Sequence, residues 1–214
     1  MSDFSEVIPN IFIGNAAAAR DPKFFNQHKI SHVINVTEKE PNHFEQKIDD
    51  LRQSKVVYLH LPVSDKCSST LSAYFAQTNA FIKDCLSSET NALLIHCKCG
   101  VSRSSTVLLA FLVQVRGMTL SNALNLVRKK RRRIRPNIGF FLQLLQVEKD
   151  THGSVGSGIW VPSIYPHVYC EMPEQTWLLM MKVNGPDELP GQISEKQFKL
   201  LAKMAFRGRK KRKR

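Results

Sequence analysis

The chain has 214 residues, 43% hydrophobic and 23% charged, with a formal net charge of +13, which is enough for one domain with a sizeable core and an extension. The first ten residues lack the apolar run of a secretory signal, and the longest apolar stretch, Val107 to Val113, is too short to span a membrane, so we expect a soluble intracellular protein. Five cysteines at irregular spacing argue against a disulfide framework, and we expect reduced thiols.

Short strand patterns open the chain. The segment VIPNIFIGN, at residues 7–15, predicts two strands around a Pro-Asn turn, and the alanine-rich segment after it predicts a helix that runs towards His28 with a break at Pro22. Two further strands are predicted at 31–36, SHVINV, and at 55–61, KVVYLHL, with a polar loop between them.

Helical patterns dominate the next ninety residues. An amphipathic helix is predicted over 71–86 after a Ser-Ser-Thr start signal, and ALLIH at 92–96 predicts a short buried strand. A buried helix over 104–115 follows, and two more helices are predicted near 119–132 and 138–149. Alternating strands and helices predict an α/β fold, with a central, mostly parallel, twisted sheet covered by helices on both faces.

The regular patterns end near residue 150. A Gly/Ser-rich segment, THGSVGSG at 151–158, is typical of a linker, and 194–206 predicts one last helix. The final eight residues, RGRKKRKR, hold seven basic side chains; without them 24 Lys and Arg face 18 Asp and Glu, a net charge of +6. We therefore expect a domain over 1–150, a partly ordered extension over 151–206 and a basic tail over 207–214.

The stretch LLIHCKCGVSRSS, residues 93–105, places polar and reactive side chains directly after a buried strand. If a helix begins near Arg103, residues 97–103 form a compact loop that directs several backbone N–H groups at one point, where the helix dipole adds positive potential. Gly100 permits the tight turn, and Arg103 brings a planar fork of donors to two phosphate oxygens. The loop therefore predicts a site for a phosphoryl group.

Cys97 stands at the start of this loop. The positive potential that attracts a phosphate also lowers the pKa of a thiol, so we expect Cys97 to be a thiolate nucleophile aimed at phosphorus. His96, Cys97 and Cys99 are close enough in sequence to suggest zinc, but the Cys-x-x-Cys spacing and a second ligand pair are missing, so we predict no metal.

The segment HCKCGVSRS resembles the His-Cys-x-x-Gly-x-x-Arg-Ser signature of the cysteine-dependent protein phosphatases, and its Ser-Arg-Ser ending resembles the dual-specificity branch. ISHVINVT at 30–37 and RRRIRPNIGFFLQLL at 131–145 extend the likeness over roughly residues 6–150, closest to the small atypical members. The resemblance implies a protein tyrosine phosphatase-like fold, with the phosphate loop between a strand and a helix, and catalysis without metal or cofactor.

A leaving alkoxide or phenolate needs a proton donor, and a carboxylic acid across the cleft from the thiolate would supply it. Asp65 lies directly after the KVVYLHL strand and 32 residues before Cys97, which matches the position of the family's general acid. Asp49, Asp50 and Asp84 are weaker candidates, and a plain turn residue remains the alternative for Asp65.

The resemblance also implies supporting roles. Ser104 is expected to hydrogen-bond the departing thiolate and His96 to orient the loop, while Asn137 is expected to brace the loop. A first-turn helix serine and a helix-capping asparagine remain the alternatives for Ser104 and Asn137. Substrate-binding positions are expected along the loop, at Lys98, Cys99, Gly100, Val101, Ser102 and Arg103.

Cys99 departs from the small residue that most relatives carry at this position. A reversible disulfide between Cys97 and Cys99 is one possibility, but alternate residues of a tight loop give poor disulfide geometry, so we expect Cys99 to be inert.

The function predicted from these residues is hydrolysis of phosphotyrosine and phosphoserine or phosphothreonine through a phosphocysteine intermediate. The same mechanism acting on an RNA 5′-triphosphate or a phosphoinositide is an alternative, and a phospho-binding pseudophosphatase is another. The family suggests MAP-kinase-type phosphoproteins as substrates.

The basic tail, 207–214, predicts contact with an import receptor or another anionic partner, and the protein is expected in the cytoplasm, the nucleus or both. The internal basic run at 128–133, RKKRRR, is expected to be a solvated helix face near the cleft rim.

Overall fold

The computed structural model describes residues 1–45 and 56–153. The predicted helix at 194–206, nearly all of the extension and the whole basic tail lie outside these residues, as do the competing carboxylates Asp49 and Asp50.

Within the described residues, five strands form one sheet in the order β1-β2-β5-β3-β4. The first pair is antiparallel, and every other neighbouring pair is parallel, so the predicted mostly parallel sheet is confirmed. The strands are β1 (Phe4–Ile8), β2 (Ile11–Gly14), β3 (Ile30–Asn35), β4 (Val57–His60) and β5 (Ala92–His96).

Five α-helices accompany the sheet in the described residues, close to the predicted positions. They are α1 (Pro22–His28), α2 (Phe75–Cys85), α3 (Arg103–Gln114), α4 (Leu120–Lys130) and α5 (Ile138–His152), with 3₁₀ turns at Ala18–Arg20 and Ser72–Tyr74. The break predicted at Pro22 is where α1 begins, because the Asp21 carboxylate accepts hydrogen bonds from the backbone N–H groups of Lys23 and Phe24.

Side chains that alternate along β5 separate into two apolar clusters, one on each face of the sheet. Leu93 and Ile95 belong to a large cluster with α2, α3, α4 and α5, while Leu94 belongs to a smaller cluster with Phe24 and Phe25 of α1. Helices therefore cover both faces, four on one and one on the other.

The parallel strands bring their carboxyl ends to one edge of the sheet, where β5 leads directly into the loop before α3. That edge is where an α/β sheet gathers its functional side chains. None of the helices in 1–45 and 56–153 is long and apolar enough to cross a membrane.

Candidate active site

The loop between β5 and α3 closes around the sulfur of Cys97. The Gly100 N–H donates to this sulfur at 3.2 Å, and the Ser104 hydroxyl lies 3.4 Å from it. Gly100 has φ +64°, and a Cβ there would lie 2.6 Å from the Gly14 carbonyl oxygen at the end of β2. Only glycine fits this position, so the sequence forces the tight turn that folds the loop over the sulfur.

Opposing effects act on the pKa of the Cys97 thiol. Burial works to raise it, but hydrogen bonds from the Ser104 hydroxyl, from the backbone N–H groups of Ser104 and Val101, and the charge of Arg103 together lower it below its usual value. The thiolate is therefore favoured in a nearly inaccessible pocket, where it is held by donors that would also meet a bound oxyanion.

Arg103 begins α3 with its guanidinium almost fully buried. Its Nη1 donates to the Val63 carbonyl at 2.9 Å, and its Nε lies 3.8 Å from Asp65 Oδ2. That Nε has no hydrogen-bond partner among the described residues. A buried, unsatisfied donor beside an anion-binding loop is what the second oxygen of a phosphoryl group would satisfy.

Asp65 lies across the cleft in the loop after β4, with its side chain 37% exposed. Its Oδ1 accepts hydrogen bonds from the Ser102 hydroxyl at 2.7 Å and from the Asn137 side-chain amide at 2.8 Å. Asn137 also caps α5, since its side-chain oxygen accepts from the Phe140 N–H at 3.0 Å. Asn137 therefore caps the helix, its backbone N–H donates to the Ser102 hydroxyl oxygen of the loop at 3.0 Å, and its bracing role in the reaction stays a prediction.

The loop that carries Asp65 is fastened to α5 at further points. The Gln143 side-chain oxygen accepts from the N–H groups of Leu71 and Ser72, each at 2.8 Å, and its amide donates to the Ser69 carbonyl. A Cβ on Gly139 would overlap the backbone of Cys67, so α5 lies directly against this loop. The position of the carboxylate is thus set in part by the helix against which its loop packs.

His96 ends β5 and is completely buried. Burial first, and then the charges of neighbouring groups led by His43, lower the pKa of His96 to about 3, although the adjacent Cys97 backbone opposes the shift. Neither ring nitrogen reaches hydrogen-bond geometry with a described residue. His96 is therefore a neutral ring beneath the loop, and its orienting role stays a prediction.

The remaining loop side chains differ in exposure. Lys98 and Cys99 are exposed, Val101 is half-buried, and Ser102 is buried against Asp65.

The four cysteines within 1–45 and 56–153 are free thiols, and those residues contain no cluster of His, Cys, Asp or Glu that could hold a metal ion. Asp84 lies near the carboxyl end of α2, where its Oδ2 is 3.8 Å from His32 Nε2, away from the phosphate loop.

Arg131 corrects the expectation that the RKKRRR run is a solvated face. Its side chain is 2% exposed, its Nε donates to the Gly100 carbonyl at 2.8 Å, and its Nη2 donates to Asp3 at 2.8 Å. Helical spacing could have identified it, because Arg131, directly after the end of α4, continues the spacing of the buried Leu124 and Val127 at intervals of seven and four residues.

Comparisons with known proteins identify the class to which this chain belongs. Residues 11–150 match the family model "Dual specificity phosphatase, catalytic domain", and the chain belongs to that family. The dual specificity protein phosphatase Mpk3 of Drosophila melanogaster is 35% identical over 166 residues, a match that spans 77% of this chain but 39% of the relative's length.

Two further relatives match over most of their own length. Dual specificity protein phosphatase 1B of Arabidopsis thaliana is 35% identical over 152 residues, which cover 71% of this chain and 86% of the relative. The crystal structure of human DUSP28 superposes with a TM-score of 0.61 at 28% identity, covering 69% of this chain and 93% of that protein.

Proposed function

We propose that this protein is a dual-specificity protein phosphatase that hydrolyses phosphotyrosine and phosphoserine or phosphothreonine. The observation that carries the proposal is the Cys97 sulfur, enclosed by loop donors, with the Asp65 carboxylate across the cleft and 3.8 Å from the Arg103 guanidinium. Residues 1–150 are the proposed catalytic domain.

The first step transfers the phosphoryl group to sulfur. The loop N–H groups and Arg103 hold the phosphate oxygens, and the Cys97 thiolate forms an S–P bond while the P–O bond to the leaving group breaks. The protonated carboxyl of Asp65 gives its proton to the departing oxygen. The product alcohol or phenol leaves, and phosphocysteine remains.

The second step regenerates the enzyme. A water molecule gives a proton to the Asp65 carboxylate and attacks phosphorus, so the S–P bond breaks and inorganic phosphate forms. The electron pair returns to sulfur, where the Ser104 hydroxyl at 3.4 Å supports the thiolate. His96 supports the loop from below, and no metal or cofactor takes part.

Exposed basic groups beside the loop favour acidic phosphoproteins. Lys98 lies in the loop itself, and Arg135 is joined to it by a backbone hydrogen bond of 2.8 Å to the Val101 carbonyl. Positive charge at the rim attracts acidic residues around a phosphorylated side chain. MAP-kinase-type phosphoproteins, which the family suggests, are the substrates we propose.

The direct test uses p-nitrophenyl phosphate and a peptide that carries both phosphothreonine and phosphotyrosine. Cys97→Ser should abolish hydrolysis of both, whereas the matched thiol variant Cys67→Ser should retain it. An RNA 5′-triphosphate and phosphoinositide vesicles test the alternative substrates. Turnover of either at a higher kcat/KM than the peptide would replace the protein-directed proposal, and no turnover of any substrate would leave a phospho-binding protein.

The protein is proposed to act in the cytoplasm and nucleus, with the basic tail RGRKKRKR as an import signal read by an acidic receptor. Replacing its Lys and Arg residues with Gln in a fluorescently tagged chain should shift the protein out of the nucleus. An unaltered distribution would contradict the import role and would leave contact with another anionic partner.

A further inference from the structure

The Arg131 guanidinium joins the phosphate loop to the amino-terminal segment of the chain. Its Nε donates to the Gly100 carbonyl at 2.8 Å. Its Nη1 donates to Asp3 Oδ1 at 3.1 Å and to the Ser5 hydroxyl at 3.2 Å, and its Nη2 donates to Asp3 Oδ2 at 2.8 Å. A two-point contact with a carboxylate fixes the plane of a guanidinium, so Asp3 sets the direction in which Nε points.

The Gly100 carbonyl belongs to the same planar peptide unit as the Val101 N–H. Fixing the carbonyl oxygen therefore fixes the direction of that N–H, which points the opposite way. The Gly100 N–H, on the other side of the same residue, donates to the Cys97 sulfur at 3.2 Å, and the Val101 N–H is one of the backbone groups that lower the pKa of that thiol. Arg135 holds the next peptide unit in the same manner, since its N–H donates to the Val101 carbonyl at 2.8 Å.

We propose that Asp3 and Arg131 are a positioning pair for the reaction, in which the carboxylate orients the guanidinium and the guanidinium holds the Gly100–Val101 peptide with its N–H directed at the nucleophilic sulfur. The proposal rests on the phosphatase function proposed above. Neither residue touches the substrate, so the pair acts through the loop.

Burial indicates that the arrangement is costly to form and is not a chance surface contact. The Arg131 side chain is 2% exposed and that of Asp3 is 34% exposed, and the guanidinium hydrogen bonds lower the pKa of Asp3 despite partial burial. Arg133 makes a second contact with Asp3 at 2.6 Å from a side chain that is 54% exposed. Burying a guanidinium carries a desolvation cost that pairing with a carboxylate offsets only in part, which favours a role for its direction over a gain in stability.

The test measures the reactivity of Cys97 and needs no turnover. In the full chain, the rate of Cys97 alkylation by iodoacetamide is followed against pH by peptide mass spectrometry, for wild type, Arg131→Met, Asp3→Asn and Lys129→Met. Lys129 is exposed on α4 and loses the same charge, so it controls for charge alone. Arg103, His96 and Asp65, the other ionisable groups near the sulfur, are unchanged in every variant.

Arg131→Met should move the alkylation midpoint to higher pH by about half to one unit, the effect of losing one well-directed donor. Asp3→Asn should move it by less in the same direction, and Lys129→Met should match wild type. The kcat/KM of Arg131→Met should fall about three- to tenfold below the midpoint and recover at higher pH.

A midpoint in Arg131→Met equal to that of Lys129→Met would overturn the proposal. If circular dichroism shows that Arg131→Met is unfolded, Asp3→Asn decides by the same comparison, because it keeps the guanidinium. If the wild-type protein hydrolyses no phosphate ester but the variants still shift the alkylation midpoint, the positioning pair is supported and the phosphatase function is refuted. The two proposals therefore fail separately.

Discussion

The Ser102 hydroxyl donates to Asp65 at 2.7 Å, so the carboxylate across the cleft is held by the phosphate loop itself. Asn137 donates to the same carboxylate oxygen through its side chain at 2.8 Å and to the Ser102 oxygen through its backbone at 3.0 Å. The three residues form a closed ring of hydrogen bonds. The ring fixes the acid relative to the nucleophile without a direct contact between them.

Ser102→Ala and Asn137→Ala should each lower kcat/KM by about three- to tenfold, the effect of one hydrogen bond. Because both residues bind one oxygen of Asp65, the double variant should lose less than the product of the two single losses. Steady-state kinetics on phenyl phosphate, whose poor leaving group depends on the acid, gives the coupling for the four proteins. Strictly multiplicative losses would show that the ring does not act as a unit.

Asp65→Asn should lower kcat for phenyl phosphate by about 10²- to 10⁴-fold, the usual contribution of a general acid to a poor leaving group. The loss should be much smaller for p-nitrophenyl phosphate, whose leaving group needs little proton donation. Asp84→Asn, which changes a carboxylate away from the loop, should leave both rates unchanged. Equal losses on the two substrates would remove Asp65 from the acid role.

Gly100→Ala should destabilise the protein far more than Gly117→Ala, although both glycines have φ +64°. At Gly117 a Cβ meets nothing within 4 Å, so only the backbone conformation costs about 1–2 kcal/mol. At Gly100 the Cβ also meets the Gly14 carbonyl and Arg131, which adds about 1–3 kcal/mol of overpacking. Chemical denaturation of the two variants measures the difference, and equal midpoints would contradict the close approach of loop and strand.

Acid should destabilise the fold partly through His96. Its pKa is 6.5 in an ordinary environment and about 3 when folded, so between these values the unfolded chain binds a proton that the folded chain does not. The free energy of unfolding therefore falls as pH falls through this window, by at most about 1.4 kcal/mol per unit from this group. Urea titrations at several pH values should show a shallower slope for His96→Asn, and an equal slope would contradict the shift.

The fold follows from periodicities that are local in sequence. The alternation in SHVINV and the continuous apolar run of ALLIH identify β3 and β5. Apolar spacing, a helix start signal and apolar content identify α2 to α5 within a few residues. The loop at 97–103 was also predictable, because a strand, a glycine and a helix start constrain its shape. Helix α1 begins at Pro22, where the sequence predicts a break, because Asp21 and Pro22 are recognisable helix-initiating residues.

What the sequence did not reveal depends on contacts between distant segments. Asp3 and Arg131 are 128 residues apart, and nothing local marks the amino-terminal aspartate as a partner of the phosphate loop. The ring of Ser102, Asp65 and Asn137 likewise joins residues 35 to 72 positions apart. Runs of basic residues are normally solvated. A buried one such as Arg131 can be recognised only from its spacing relative to the buried residues of the preceding helix.

Gly139 lies against the Cys67 backbone, and the Gln143 side chain hydrogen-bonds the same acid-bearing loop. These contacts bear on what can limit the rate of turnover. Many enzymes close a lid over the substrate, and that motion can limit their rate. Here the acid-bearing segment is fastened to α5 by these contacts, so we expect that no lid motion of this segment limits turnover. Added viscogen should therefore leave kcat for a slow aryl phosphate unaffected.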